Sequence, residues 1–423
     1  MSLRLGSMLL TAGLVAATAA EPPERSHLDF RADARAAAAR KDFAAARAAT
    51  RAALERRPDS PLYRYNLAAF SALLGERDAA LAALDRLADL GVYLPAERDP
   101  DFASLQGTPP FRRVLERLAS HRAPRGQVEL VGKIDGRAGI IEGIAYREAT
   151  GDLFLSDVHL RGIWRRDRGG QVTRFSVEDE GLLGLFGLAL DEARGALWAA
   201  MAGVPEVSGY TSEWRGAAGL AEFDLRSGEV RRIIPVPDDG RDHALGDLLV
   251  APDGTVYATD FKAPVIWKFA PGAEEMEKVV DSPRFASLQG IALRGRTLLV
   301  ADYSHGLFAL DLASRALHQF TPPPNATLLG IDGLILAADG LVATQNGVEP
   351  QRVVKFALNA ELNALTGCTV LAAGLPDLQD LSLVTLMNGR PVVVAGAGWE
   401  GFDPAKSPAP APHVVRLFQV ELP

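Results

Sequence analysis

The chain lacks several features that would point to a function class directly. It has 423 residues but a single cysteine, Cys368, so an intramolecular disulfide cannot form. It has no excess of basic residues, since its formal net charge is -8 at pH 7, and this argues against nucleic acid as a partner. After residue 20 it has no apolar run that could span a bilayer. A small-molecule substrate or ligand, or a protein partner, remains.

Residues 1–20 have the layout of a secretory signal peptide. Arg4 lies in a short charged opening, an apolar run extends from Leu5 to Ala16, and small residues precede Glu21. The alternative, a retained membrane anchor, is less favoured because the run is shorter than the ~20 residues that a bilayer requires. We therefore predict removal of residues 1–20 and a periplasmic or secreted protein.

Glycine is nearly missing from residues 26–120, where alanine, arginine and leucine dominate. Apolar residues recur at helical spacing, and two similar helical units follow each other at about 35 residues. This resembles a tetratricopeptide-type repeat and predicts a helical domain over residues 21–122. A plain pack of helical hairpins is the alternative. In either case the expected role is contact with a partner or bracing of the domain that follows.

Six segments follow one formula, in which a variable residue precedes glycine or aspartate and then an aliphatic residue. They begin at Glu142, Phe186, Gly246, Gln289, Asp332 and Gln379, with spacings of 44, 60, 43, 43 and 47 residues. Such a period, with several strands per repeat, predicts an all-β six-bladed propeller over residues 127–423. We expect residues 127–133 to pair with the final strand near 414–418 and so close the ring.

In an antiparallel meander, the start of the first strand and the end of the second lie on the same rim. Oxygen-bearing side chains that begin the repeats should therefore face a common channel, and they could hold a hard cation. These metal candidates are Glu142, Gln289 and Asp332. The loops after the second strands should bring His159, Lys262, Tyr303, Ser304, His305 and Asn346 to this rim, His243 should approach it, and the insertion with Tyr210, Glu213 and Trp214 is a candidate lid.

These motifs resemble those of the gluconolactonase, senescence marker and luciferin-regenerating group of six-bladed propellers, with paraoxonase and strictosidine synthase as more distant relatives. The resemblance rests on Glu142-Gly143, on Gly246-Asp247 with Pro252-Asp253-Gly254, on Gln289-Gly290-Ile291 and on Asp332-Gly333. It implies a divalent metal on Glu142, Gln289 and Asp332, with Gln289 in place of an asparagine. Gly246 replaces an asparagine that contacts substrate.

The resemblance further implies hydrolysis of a lactone or related ester, with Asp332 as general base. His159, His243 or His305 could serve instead, as a histidine does in the paraoxonase-like relatives. Calcium is the expected ion, with magnesium, manganese or zinc as alternatives. The predicted substrate-binding residues are Gly246, Asp247, Tyr210, Trp214, Lys262 and Asn346.

Two other functions stay open at this point. A non-catalytic propeller that binds a ligand or a protein is favoured by Gly246 and Phe186, because one rim position has lost its polar group and another is apolar. The helical domain would then be its docking module. Condensation or isomerisation, as in the strictosidine synthase relatives, is the third function.

Overall fold

A computed structural model describes residues 25–136 and 139–422. The predicted signal peptide lies outside these residues and stays a prediction. None of the helices in the described part of the chain has the length and apolarity needed to cross a membrane.

The N-terminal part is helical, and four of its five described α-helices begin at a capping side chain or a proline. Ser26 forms a capping box with Asp29, Asp42 caps the second helix, and Ser60 precedes Pro61 at the start of the third. The helices pack through buried alanines and leucines, with Phe102 and Phe111 completing the core. The five α-helices described are α1 (His27–Ala39), α2 (Phe43–Arg56), α3 (Pro61–Leu73), α4 (Arg77–Ala88) and α5 (Pro109–Ser120).

The rest of the described chain forms six antiparallel sheets of four strands each, which confirms the predicted six-bladed propeller. The first blade comprises β2 (Ile141–Arg147), β3 (Asp152–Asp157), β4 (Gly162–Arg166) and β5 (Val172–Arg174). The second comprises β6 (Gly184–Asp191), β7 (Ala196–Ala202), β8 (Ala218–Asp224) and β9 (Val230–Pro235). The third comprises β10 (Leu245–Val250), β11 (Val256–Asp260), β12 (Val265–Phe269) and β13 (Glu277–Asp281).

The fourth blade comprises β14 (Leu288–Arg294), β15 (Thr297–Asp302), β16 (Gly306–Asp311) and β17 (Leu317–Gln319). The fifth comprises β18 (Ile331–Ala337), β19 (Gly340–Gln345), β20 (Arg352–Leu358) and β21 (Leu365–Ala373). The sixth comprises β22 (Val384–Met387), β23 (Arg390–Ala395), β24 (Val414–Val420) and, from the start of the propeller, β1 (Val128–Asp135).

The ring closes as the sequence predicts. Strand β1 pairs antiparallel with β24, from Val128 opposite Val420 to Asp135 opposite Val414. The first and last strands of the propeller therefore share one sheet, and this pairing leaves no gap between the first and last blades.

The repeated sequence formula marks a β-bulge in the innermost strand of each of the first five blades. In the first blade, Ile141 pairs with Asp157 and Ile144 with Leu155, so Glu142 and Gly143 together oppose Ser156. The second to fifth blades have the same shift at their formula residues. A bulge re-aims a side chain out of the regular alternation. It therefore explains how the first formula residue comes to face the channel.

The glycine that follows the first formula residue is required where the neighbouring blade packs closely against it. A Cβ on Gly290 would lie 2.5 Å from the backbone nitrogen of Leu334, and one on Gly333 would lie 2.9 Å from the Cα of Leu383. The next blade therefore packs directly against the bulge, and no side chain fits between them.

Hydrogen bonds between neighbouring blades correct the predicted position of the sixth repeat. Thr259 Oγ1 donates to the carbonyl of Gln289, the first formula residue of the next blade, and Thr344 Oγ1 donates in the same way to the carbonyl of Ser382. The sixth formula position is therefore Ser382 and not Gln379. Residues Gln379-Asp380-Leu381 match the repeat formula in sequence, but they belong to the loop before β22.

The helical part docks on the fourth and fifth blades, on the face where their second strands end. Arg57 Nη1 donates to the carbonyl of His305 at 2.6 Å, and Asp59 Oδ2 accepts from the amide of Leu328 at 2.8 Å. Farther along, the amide of Tyr93 donates to the carbonyl of Glu349. The helices therefore brace the propeller, which is one of the two roles expected from the sequence.

Candidate active site

Three of the predicted residues meet at one cavity at the mouth of the central channel. Glu142, Gln289 and Asp332 come from blades far apart along the chain, and the bulges bring them to the same space of about 300 Å³. The remaining wall residues are Phe186, Phe261, Tyr303, Asn346, Gln351, Asp380, Leu381, Trp399 and Glu400. This wall includes no lysine, arginine or histidine, so negative charge in the cavity has no cationic side chain to balance it.

Asp332 is held by a short chain of hydrogen bonds. Asn346 Nδ2 donates to Asp332 Oδ2 at 2.7 Å and to the carbonyl of Leu381 at 2.8 Å. Tyr303 in turn donates its hydroxyl proton to Asn346 Oδ1 at 3.1 Å. These donors are neutral and occupy one carboxylate oxygen, while Asp332 Oδ1 has no hydrogen-bond partner among the described residues.

Glu142, two blades away around the ring, is held in a similar way. Trp399 Nε1 donates to Glu142 Oε2 at 2.6 Å, and Oε1 has no hydrogen-bond partner in the described part of the chain. Asp380 differs, because its two oxygens accept from the backbone amides of Gly398 and Glu400. Asp380 therefore holds the loop, whereas Glu142 and Asp332 each keep one oxygen available.

Ionisation of both Glu142 and Asp332 is unfavourable, because the two carboxylates are buried close to each other. Burial raises the pKa of Asp332 to about 7, although the hydrogen bond from Asn346 favours its ionised form. Burial, together with the negative charge of Asp332, raises the pKa of Glu142 well above its ordinary value. A cation or a bound proton would relieve this repulsion.

The side of the cavity opposite Asn346 is less polar. Phe186 and Phe261 pack together with ring centroids 5.5 Å apart, and Trp399 approaches Phe186 at 6.3 Å. The space beside Gly246 is filled by these neighbours, because a Cβ on it would lie 3.2 Å from Phe261 and 3.4 Å from Gln289 Oε1. The polar side chain that the family resemblance expects at residue 246 is therefore replaced by aromatic surface.

Asp247 lies deeper than predicted. It lines a separate space of about 370 Å³ between the innermost strands of the blades, together with aliphatic side chains such as Leu248 and Leu334. Its oxygens accept from the amides of Leu248 and Ile291, and burial raises its pKa to about 7. The structure does not bring Asp247 to the wall of the cavity that contains Glu142 and Asp332.

The three candidate histidines are not on the wall of this cavity. His243 is buried between Asp260 and Asp239, which contact its two ring nitrogens at 2.6 and 2.9 Å. His159 Nδ1 contacts the carbonyl of Glu206, and His305 Nδ1 contacts that of Arg284. In these positions the imidazoles support loops and do not reach Asp332 or Glu142.

The predicted lid and Lys262 also lie elsewhere. Tyr210 and Trp214 pack against the core between the second and third blades, and Arg161 lies over the Trp214 ring at 5.3 Å. Lys262 is exposed and donates its backbone amide to Asp260. Asn346, the remaining substrate-binding candidate, does line the cavity.

Sequence reasoning missed six wall residues, namely Phe261, Gln351, Asp380, Leu381, Trp399 and Glu400. Phe261 directly follows a second strand, so the rule that selected Lys262 and Asn346 could have found it. Trp399 lies in the long segment between β23 and β24, whose only long counterpart in the described blades is the insertion between β7 and β8. No repeat signal could have placed it against Glu142.

The donor set of the cavity suits a hard cation in its chemistry. Two carboxylates and the Gln289 amide are oxygen ligands, and the wall has no histidine or cysteine that would favour zinc. Within residues 25–136 and 139–422, no group of three or more His, Cys, Asp or Glu side chains is arranged to hold a metal ion. Binding would thus depend on the amide oxygen of Gln289 in addition to Glu142 and Asp332.

The fold and this cavity define the chain as a six-bladed propeller with an acidic channel mouth, and solved structures of similar shape carry several activities. A gluconolactonase from Xanthomonas campestris is 18% identical with a TM-score of 0.48, covering 72% of this chain and 93% of its own. A luciferin-regenerating enzyme is 15% identical with a TM-score of 0.46, covering 70% and 95%.

A PQQ-bound aldose sugar dehydrogenase from Streptomyces coelicolor is 17% identical with a TM-score of 0.47, covering 71% of this chain and 100% of its own. No family model matches the chain, and no similar sequence is found among curated proteins. The gluconolactonase and luciferin-regenerating neighbours are those that the sequence resemblance named. At these scores the likeness carries no argument about activity, which must come from the cavity itself.

Proposed function

We propose that this protein hydrolyses a lactone or a related ester at the channel mouth, assisted by a divalent metal. The observation that carries the proposal is the pair of buried carboxylates, Glu142 and Asp332, which face one cavity without a cationic side chain and keep one oxygen each unbonded. A buried pair of this kind is costly unless a cation or a proton compensates it.

Eight of the wall residues have a definite role in this proposal. Glu142, Gln289 and Asp332 would hold the metal, with calcium expected from the all-oxygen donor set and magnesium, manganese or zinc as alternatives. A bound divalent ion supplies a Lewis acid that polarises the substrate carbonyl. Asp332 Oδ1 would accept a proton from the attacking water and return it to the alkoxide that leaves when the acyl C–O bond breaks, and Asn346 and Tyr303 keep that carboxylate oriented. Phe186, Phe261 and Trp399 limit the access of bulk water.

The experiment compares Asp332→Asn with the exposed control Asp339→Asn, which lies in the turn of the same blade. Each protein is equilibrated with millimolar calcium, passed through a desalting column and analysed for bound metal. Hydrolysis of an aldonolactone and of an alkyl lactone is then measured. We expect near-stoichiometric metal in the wild type and the control, and loss of metal and of hydrolysis in Asp332→Asn.

A non-catalytic ligand-binding propeller is the second candidate, favoured by Gly246 and by the aromatic side of the cavity. Wild-type protein that holds no metal at millimolar supply and hydrolyses neither lactone would refute the enzyme and support this candidate. A protein partner of the helical domain stays a prediction.

The proposed periplasmic or secreted location rests on residues 1–20. It is tested by sequencing the N-terminus of the protein purified from its native cells.

A further inference from the structure

A second cavity lies between the helical part and the propeller, directly beside the candidate active site. Its volume is about 560 Å³, within the usual range of small-molecule sites. One wall comes from helices α1 and α3 and from the segment after α4. The other comes from loops of the fourth and fifth blades. Most of its lining is apolar or aromatic, including Leu62, Tyr63, Tyr93, Leu94, Leu329 and Val348.

The two cavities share part of their walls. Tyr303, Asn346 and Gln351 line both of them. Asn346 is also the residue that donates to Asp332, so the shared wall reaches the carboxylate that the proposed mechanism uses. The two cavities are therefore adjacent at Asn346, and a ligand whose reacting group lies at Asp332 would pass this residue to reach the helices.

The position of the helices is fixed by contacts with the propeller. The buried Arg57 and Asp59 bind the fourth-blade carbonyl of His305 and the amide of Leu328, and Arg352 Nη1 donates to the carbonyl of Gly91 at 2.9 Å. The second cavity thus has two anchored walls. Its charged side chains, Arg31 and Glu349, are exposed, and most of the other lining residues are apolar or aromatic.

We propose that this second cavity binds the apolar alkyl or aryl arm of the substrate. The substrate class is then a lactone or ester with a long apolar substituent, not a polyhydroxylated sugar lactone. This inference rests on the proposed function and deepens it. The loss of a polar group at Gly246 and the aromatic pair Phe186 and Phe261 support the same preference, since a polyol would leave its hydroxyls without partners there.

Leu62 provides a test that spares the fold. It lines the second cavity, is 41% exposed, and occupies the first turn of α3, where an acidic side chain is compatible with the helix dipole. Leu74, which is 38% exposed just after the same helix and does not line the cavity, is the matched control. The variants are Leu62→Glu, Leu62→Met and Leu74→Glu, each first checked for an unchanged circular dichroism spectrum.

The two substrates are γ-dodecalactone, which bears an eight-carbon chain, and γ-butyrolactone, which has none. We expect Leu62→Glu to lower kcat/KM for γ-dodecalactone by roughly tenfold, because its charge lies in the apolar wall, and to change kcat/KM for γ-butyrolactone less than about twofold. Leu62→Met and Leu74→Glu should resemble the wild type. Equal kcat/KM values for both lactones in the wild type, or equal losses in Leu62→Glu, would overturn the proposal.

A binding measurement separates this inference from the proposed function. 2-Octylcyclopentanone has the same chain but no ester bond, and cyclopentanone is its short counterpart. Isothermal titration should show binding of the octyl compound to the wild type and about tenfold weaker binding to Leu62→Glu, whether or not any lactone is hydrolysed. Hydrolysis without this difference would refute the apolar subsite alone. The difference without hydrolysis would refute the proposed reaction alone.

Discussion

The contact between the helices and the propeller depends on a buried ion pair, and its removal gives a quantitative test of the docking. Asp59 is 2% exposed, and its Oδ2 accepts from Arg57 Nη2 at 2.9 Å and from the amide of Leu328 at 2.8 Å. The substitution Asp59→Ala leaves the buried Arg57 guanidinium without its counterion and the Leu328 amide without an acceptor.

Breaking a buried ion pair costs about 3–5 kcal/mol, and an orphaned buried amide costs about 1–3 kcal/mol. The two losses overlap because one carboxylate serves both donors, so we do not add them. Asp59 Oδ1 and Arg57 Nε have no partner within the described residues, which lowers what the native pair contributes. We therefore expect a loss of about 3 kcal/mol in the free energy of unfolding.

The assay is urea unfolding followed by circular dichroism at 222 nm, where helices dominate the signal. The control is Asp33→Ala, which removes an exposed pair with Arg25 whose side chains are 55% and 52% exposed, and it should cost less than about 1 kcal/mol. The double variant Arg57→Met with Asp59→Ala should recover part of the loss, since no unpaired charge remains. A stability of Asp59→Ala equal to that of the control would refute this account of the docking.

Two further predictions concern stability. Gly290→Ala should cost about 1–3 kcal/mol, because its Cβ would lie 2.5 Å from the nitrogen of Leu334, whereas Gly367→Ala, with nothing within 4 Å of the added Cβ, should be nearly neutral; urea unfolding of both variants measures the contrast. His27 contacts the Tyr63 hydroxyl at 2.7 Å, and burial lowers its pKa from 6.5 to about 3, so the unfolded chain binds the proton more readily. The free energy of unfolding should therefore fall as the pH drops from about 6.5 toward 3, and His27→Gln should flatten this part of the profile; an unchanged pH profile in that variant would contradict the assignment.

Much of the fold could be predicted from local pattern. The repeat spacing predicted six blades, and the apolar segments at both ends predicted the closing pair of strands, because both depend on short-range periodicity. The aspartates that end several second strands recur at one position of the repeat, where they hold the turns that follow. Asp157, Asp260 and Asp302 do so by accepting backbone amides. The sixth repeat could not be placed from the sequence, because residues 379–381 in the loop before β22 also match the formula. Only the Thr344 contact with Ser382 identifies the equivalent position.

The candidate site was predictable only in part. Glu142, Gln289 and Asp332 share a place in the repeat, so rotational repetition places them around one axis and the sequence alone could select them. Asn346 was found by the same reasoning. Position in the repeat did not distinguish the histidines from Asn346, because their different environments arise from contacts with distant segments, such as that of His159 with the carbonyl of Glu206.

The sequence by itself determined the number of blades, the helical start of the chain and five of the six residues that begin the repeats, since these follow from periodicity along the polymer. The tertiary structure decided which of those residues share a cavity, placed Trp399 against Glu142, and set the helices beside the channel mouth. The physical reason is that packing between segments far apart in the chain produces no periodic pattern in the sequence. The second cavity is the clearest example, because neither domain encloses it alone.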